Sequence, residues 1–160
     1  MIIGYRRAQK TDIDDLVELR IKLNYYDMKE DNITEVNNER QLRDTIKKVF
    51  EKELNKTIYF YIASDEKENK VVAGGAIIIQ QLIPFSTIPN GKVGFITSVY
   101  TNEKYRHIGI QKNIMKMMIE CARYHHCQRI ELNATNPNAV KLYESYGFKK
   151  MDFKYRLELL

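Results

Sequence analysis

The pattern of apolar residues predicts a mixed α/β fold. It is a central mixed sheet of about six to seven strands flanked by four helices, in the order β-α-α-β-β-β-α-β-α-β-β. Three observations carry this. Apolar residues recur at helical spacing in separate stretches, and runs of β-branched and aromatic residues lie between polar turns. A strand–helix–strand unit in the second half implies a parallel pair with a right-handed crossover, while the hairpins imply antiparallel neighbours. Both kinds of pairing in one sheet exclude a doubly wound fold.

The elements follow in order. Residues 2–8 read as a short strand. Thr11 has the character of an N-cap, with Asp12, Asp14 and Asp15 in the first turn, where the helix dipole favours acids. Ile13, Leu16, Val17, Leu19 and Leu23 give the first helix its apolar stripe. Residues 25–37 are polar and acidic and read as a loop or a frayed helical stretch. A second helix covers about 38–54, with Leu42, Ile46, Val49 and Phe50 on one face. Residues 57–63 and 71–82 form a hairpin around a polar turn, and 92–100 make the next central strand after a loop with two prolines. A helix opens within 106–110 and runs to about 125, and a short strand follows at 129–133. Residues 136–146 form the last helix, with Pro137 at its first turn and Gly147 ending it. Residues 148–153 and 155–159 are expected to add two closing strands.

Composition narrows the function classes. The 160 residues fit one domain, 1–160, with 44% hydrophobic and 29% charged residues, as in a soluble globular protein. No apolar run approaches the roughly 20 residues of a membrane span. The N-terminal MIIGYRRAQK places apolar before basic residues, the reverse of a signal peptide, so a cytoplasmic location is expected. Cys121 and Cys127, with His125 and His126 between them, match no zinc spacing, and no metal is expected. The net charge of +5 suits an anionic partner, but the basic residues are interleaved with acids and no nucleic-acid motif is present.

The stretch from Val99 to Gln111 carries the chemistry. A strand runs through a polar loop into a helix whose first turn contains Gly109. Free N–H groups at a helix N-terminus bind anions, and glycine allows close approach to the backbone. The alternative is a glycine placed for tight helix–strand packing. The P-loop and the G-x-G-x-x-G pattern are both absent.

The segment Arg106-x-x-Gly109-x-Gln111 resembles the pyrophosphate loop of GNAT acetyltransferases, Q/R-x-x-G-x-G/A, with Gln111 departing at the last position. The segment from Asn136 through Ala139, Leu142, Tyr143 and Gly147 to Phe148 resembles that family's second cofactor motif, N-x-x-A-x-x-L-Y-x-x-x-G-F, at every fixed position. The resemblance implies the acyl-CoA N-acyltransferase fold and an acetyl-CoA-dependent N-acetyltransferase acting on a primary amine by direct attack. The alternative is a non-catalytic module of the same fold that senses acyl-CoA or binds a protein.

By the same resemblance, the strand before the loop splays from its parallel neighbour at a bulge. Val99, Tyr100 and Thr101 then pair with the pantetheine arm of coenzyme A, and a backbone N–H near Val99 or Tyr100 polarises the acetyl carbonyl. Arg106 and the amides of His107, Ile108, Gly109, Ile110, Gln111 and Lys112 hold the pyrophosphate, with Asn136 on the opposite wall. Lys104, Lys112 or Lys116 are candidates for the 3′-phosphate. Tyr143 stands where the family places its general acid, and its alternative is a packing tyrosine. Some members carry a glutamate base at the position of Val93; here a water chain through Ser98 and Tyr100 is the substitute. Tyr25, Tyr26, Asp27, Glu30, Asp31, Phe85 and Tyr155 fall in the acceptor-binding loops, where acids beside aromatics suit a cationic amine. The expected partners are acetyl-CoA and an amine acceptor, with a homodimer allowed and neither nucleic acid nor a membrane.

Overall fold

The computed structural model describes residues 1–30 and 38–159, apart from the side chains of Met28 and Glu30. The elements are β1 (Ile3–Arg7), α1 (Ile13–Glu30), α2 (Glu39–Glu53), β2 (Ile58–Asp65), β3 (Lys70–Gln81), β4 (Lys92–Thr101), α3 (Ile110–Tyr124), β5 (Arg129–Leu132) and α4 (Pro137–Ser145). One sheet runs in the order β1-β2-β3-β4-β5. Its first three pairings are antiparallel and β4–β5 is parallel. The mixed sheet and its crossover through α3 are therefore as the sequence predicts.

Successive residues of β2 show how the layers form. Tyr59, Tyr61 and Ala63 join α3 residues Ile110, Ile114, Met118 and Cys121 in one buried cluster. Ile58, Phe60 and Ile62 join α1 and α2 residues Leu16, Val17, Leu19 and Phe50 in another. Strand side chains alternate between faces, so a strand covered on both sides is apolar throughout. The sheet is thus sandwiched, with α1 and α2 on one face and α3 on the other. Cys121 is buried in the α3 layer, in line with a core role.

Two expectations need correction, and one open alternative is decided. Thr11 does not cap α1; it lies in a 3₁₀ turn, Lys10–Asp12. Asp12 instead reaches back to the Gln9 amide at 2.7 Å and takes Arg6 in a fork at 2.7 and 2.8 Å. Of the two readings of the stretch after Asn24, loop or frayed helix, the helical one holds as far as Glu30, where α1 ends with Tyr25, Tyr26 and Asp27 on it. Finally, 148–153 and 155–159 form no strands. The tail alternates apolar and charged residues, yet Met151, Phe153, Tyr155, Leu157 and Leu159 are all exposed. Alternation alone does not make a strand; it needs a paired edge and a covered face, and this segment docks on neither. β5 accordingly remains the sheet edge, short and carrying Arg129 and Glu131. Among the described residues no helix is long and apolar enough to cross a membrane.

Candidate active site

The site begins with a defect in β4. The β3–β4 register runs Ala73↔Thr101 and Gly74↔Tyr100, then resumes at Ala76↔Thr97. β4 therefore spends two residues, Ser98 and Val99, against Gly75 alone. Ser98 sits in the left-handed region at φ 58°. Such a bulge bends its strand and raises the local twist. The effect on the other side of β4 is direct: pairing with β5 covers only residues 93–96 against 129–132. Beyond Ile96 and Leu132 the two parallel strands part.

The alternation of the ladder decides which amides face the opening. The Asn102 amide donates to Val72 O on the β3 side at 2.8 Å. Neighbouring amides point oppositely along a strand, so that of Thr101, which lies beyond the bulge, is turned away from β3, into the gap. The amide of Tyr100 faces β3.

The loop after β4 supplies more donors. His107 (φ 64°) and Gly109 (φ 85°) are both left-handed, one on each side of Ile108. For Gly109 this conformation explains the residue type. A Cβ there would meet nothing within 4 Å, so the backbone borders open space. Among the described residues, no protein acceptor takes the amides of His107, Ile108, Gly109, Ile110 or Gln111. The Lys112 amide is already engaged, at 3.2 Å from Gly109 O. Consecutive free amides at the head of a fifteen-residue helix form a concave anion-binding surface.

Two anchors hold this loop. Tyr105 is buried, and its hydroxyl donates to Asp65 (3.0 Å), with Glu68 Oε2 also near (3.2 Å). Burial and these two acids push its pKa up to about 12. Arg106 turns back onto the protein: its Nε donates to Thr101 O at 2.9 Å. Its guanidinium stacks 5.0 Å from the Tyr26 ring centre and 5.7 Å from that of Tyr100.

The opposite wall comes from the chain after β5 and from α4. Asn136 caps α4 with its carbonyl, accepting from Asn138 N at 2.9 Å, while its amide donates to Tyr26 OH at 2.9 Å. Both ends of that side chain are thus committed to the protein. Tyr143 is buried, and burial raises its pKa, so its phenol stays protonated at neutral pH. Its hydroxyl has no partner among the described residues, and its ring packs edge-on against Phe148 at 5.9 Å. Tyr146 ties α4 back to α3 through Lys112 O at 2.8 Å.

Together these walls bound a cleft of about 1060 Å³. It is lined by the parted ends of β4 and β5, the loop before α3, one face of α4 and part of α1. Of the residues singled out from the sequence, Val99, Tyr100, Thr101, Arg106, His107, Gly109, Ile110, Gln111, Lys112, Asn136 and Tyr143 line it, as do Tyr26 and Asp27. Ile108 does not; its side chain is exposed. Lys104 and Lys116 are also outside it. Tyr25 is on another face of α1, bonded to Glu39 of α2 at 2.7 Å. Phe85 lies in the β3–β4 loop, beside the start of β4, whereas the cleft lies at its end, roughly 20 Å along the strand. Tyr155 is fully exposed on the tail. The side chain of Glu30, and Asp31, lie outside the described residues. His125 stacks on Tyr59 at 4.6 Å, and no metal-ligand group of three occurs among the described residues.

Two features of the lining were not anticipated: the reach of the Gln111 side chain, and Arg20. Gln111 replaces the small residue of the loop pattern, and its side chain spans the bulge. Its Nε2 donates to Tyr100 O (3.1 Å) and Thr101 Oγ1 (2.9 Å), with Gly74 O at 3.3 Å. Arg20 projects from α1 into the cleft. The signal was present: Arg20 follows Leu16 by four residues and precedes Leu23 by three, a cation set in an apolar stripe.

Solved structures share this fold. A predicted acetyltransferase from Clostridium acetobutylicum, solved with acetyl-CoA, superposes with a TM-score of 0.85 at 25% identity, covering 99% of this chain and 97% of that one. A GCN5-related N-acetyltransferase from Ralstonia eutropha gives 0.75 at 15% identity, with 98% and 99% covered. Glucosamine-6-phosphate N-acetyltransferase from Arabidopsis thaliana gives 0.71 at 16%, with 99% of each chain covered. These last two speak for the fold alone. No curated protein matches the sequence. The family model for the acetyltransferase (GNAT) family matches residues 23–148, and the chain belongs to that family.

Proposed function

We propose that this protein transfers an acetyl group from acetyl-CoA to a primary amine by direct attack of the amine on the thioester. The observation that carries this is the pairing of the parted β4–β5 edge with five unclaimed amides beside it. The residues fit the cofactor: the open space at Gly109 and the unclaimed donors suit a diphosphate, and the gap suits an extended arm. Acetyl-CoA supplies the activated acyl group and a thiolate leaving group. The C. acetobutylicum structure holding that molecule supports the same reading.

The chain's own groups divide the work. The amides of His107, Ile108, Gly109, Ile110 and Gln111 bind the diphosphate. Val99 and Thr101 offer backbone groups to the pantetheine arm, and a backbone amide at Val99 or Tyr100 serves as the donor to the negative charge that develops on the acyl oxygen. Tyr143, protonated and without a partner among the described residues, donates to the departing sulfur, and the proton that the amine gives up passes to water and restores the phenol. Tyr100 helps set the loop by stacking on Arg106. Bringing both reactants into one cleft provides orientation.

A thiol-release assay with acetyl-CoA against a broad panel of amines tests the proposal. Release with at least one amine, lost in Tyr143→Phe, is the expected result. Acetyl-CoA that stabilises the protein without any thiol release would favour a binding module.

A further inference from the structure

Arg20 is the group in the cleft that the reaction above leaves without a task. It is half-buried on α1, one turn from Leu23 and two from Asp27, and all three line the cleft. Some other arginines meet protein oxygens, Arg6 at Asp12, Arg43 at Glu18, Arg106 at Thr101 O and Arg129 at Glu131, and Arg7, Arg40 and Arg123, which show no such contact among the described residues, are exposed. Arg20 makes no hydrogen bond and no ion pair among the described residues. Asp27 acts on it only through its charge, and burial lowers the guanidinium's pKa from its usual value. A half-buried cation without an acceptor is unfavourable unless something else supplies the anion. Its fork of donors matches a carboxylate or a phosphate.

Position separates Arg20 from the diphosphate surface. The free amides head α3, which packs on one face of the sheet, whereas α1 packs on the other. The cleft is lined from both layers, so the reading requires a ligand on the α1 side to meet Arg20 while the amides heading α3 hold the diphosphate.

We infer that Arg20 is an acceptor-recognition residue, and that the acceptor is an amine bearing its own anionic group, a carboxylate or a phosphate. This rests on the acetyl-transfer reading. It also departs from the expectation of a purely cationic amine.

Matched pairs test it: amino acids against their carboxamides, and amino-sugar phosphates against the free amino sugars. Thiol release should favour the anionic member at least about tenfold in kcat/KM. The pair that shows the larger ratio identifies carboxylate or phosphate. In Arg20→Gln the ratio should collapse toward one, and Arg20→Lys should fall between. The rise in melting temperature caused by acetyl-CoA should persist in both variants, and Arg20→Lys carries the test if Arg20→Gln does not fold. A ratio near one in the wild type, or one unchanged in the variants, would overturn the assignment while leaving the transferase intact. A second readout is the melting temperature of the CoA-loaded protein with each pair member. Stabilisation by anionic members, lost in Arg20→Gln, without thiol release from any amine would keep the anion site and sink the transferase reading. Neither stabilisation nor release would overturn both.

Discussion

The side-chain amide of Gln111 donates to the carbonyl of Tyr100 at 3.1 Å, joining the first turn of α3 to the bulged end of β4. The same nitrogen reaches Thr101 Oγ1 at 2.9 Å. A smaller residue here would leave these oxygens to water or unpaired. Gln111→Ala is therefore expected to cost roughly 1–2 kcal/mol, or about 2–4 °C of melting temperature per kcal/mol in a chain of this size. Acetyl-CoA affinity should fall with it, because both strand end and loop lose their tie. Calorimetry with and without cofactor reads both effects; an unchanged apo melting temperature would mean that the bulge stands without Gln111.

Gly109 holds φ 85° beside open space. Gly109→Ala meets no clash, so its cost is conformational, about 1 kcal/mol for an L-residue in this region. The larger effect is expected on the bound state, where the methyl group occupies the approach to the amides. The acetyl-CoA-induced rise in melting temperature should shrink by more than the apo value falls.

Tyr143→Phe keeps the ring and its edge contact with Phe148. It should lower kcat by about 10²-fold or more, the usual scale of a lost general acid, with acetyl-CoA affinity changed less than about threefold. Steady-state kinetics beside a direct binding titration separate the two. Equal losses in both would make the tyrosine a packing residue.

Stability should fall at both pH extremes, for different groups. The hydrogen bond from Arg6 lowers the Asp12 pKa against the cost of burial. Burial opposes ionisation of Asp65, but Tyr105 and the amides of Lys67 and Glu68 outweigh it. Both carboxyls thus titrate below their unfolded value near 3.8, so their contribution is complete above it and vanishes as pH falls through the folded value. Tyr105 is the reverse case: raised to about 12, its contribution is complete below its unfolded value of 10 and lost as pH climbs toward 12. Melting temperature against pH should show both limbs, the acid one flattened in Asp12→Asn and the alkaline one in Tyr105→Phe.

What was legible in the sequence was local. Asn136, Pro137 and Gly147 announce the start and stop of α4 because capping and left-handed backbone depend on adjacent residues. The apolar stripes of α1 and α3 announce their layers, and the crossover between β4 and β5 follows from chirality. What escaped was set by distance in space. Phe85 read as an acceptor-loop residue by resemblance to the family, but the ladder puts it at the other end of β4 from the cleft. Tyr25 and Tyr26 are adjacent in sequence, yet 100° of helical rotation sends one to Glu39 and the other to Asn136. The alternating tail has the pattern of a strand, but pattern does not supply a partner.

The bulge at Ser98 has an evolutionary consequence. Side-chain donors can be erased by a single codon change, whereas the groups turned inward at Thr101 and the loop after it are peptide links that every amino acid except proline brings along. Substitutions at those positions can reshape the mouth of the cleft while the inner donors survive. Such a framework can trade one acceptor for another by ordinary drift, and its weak points are changes that reroute the main chain.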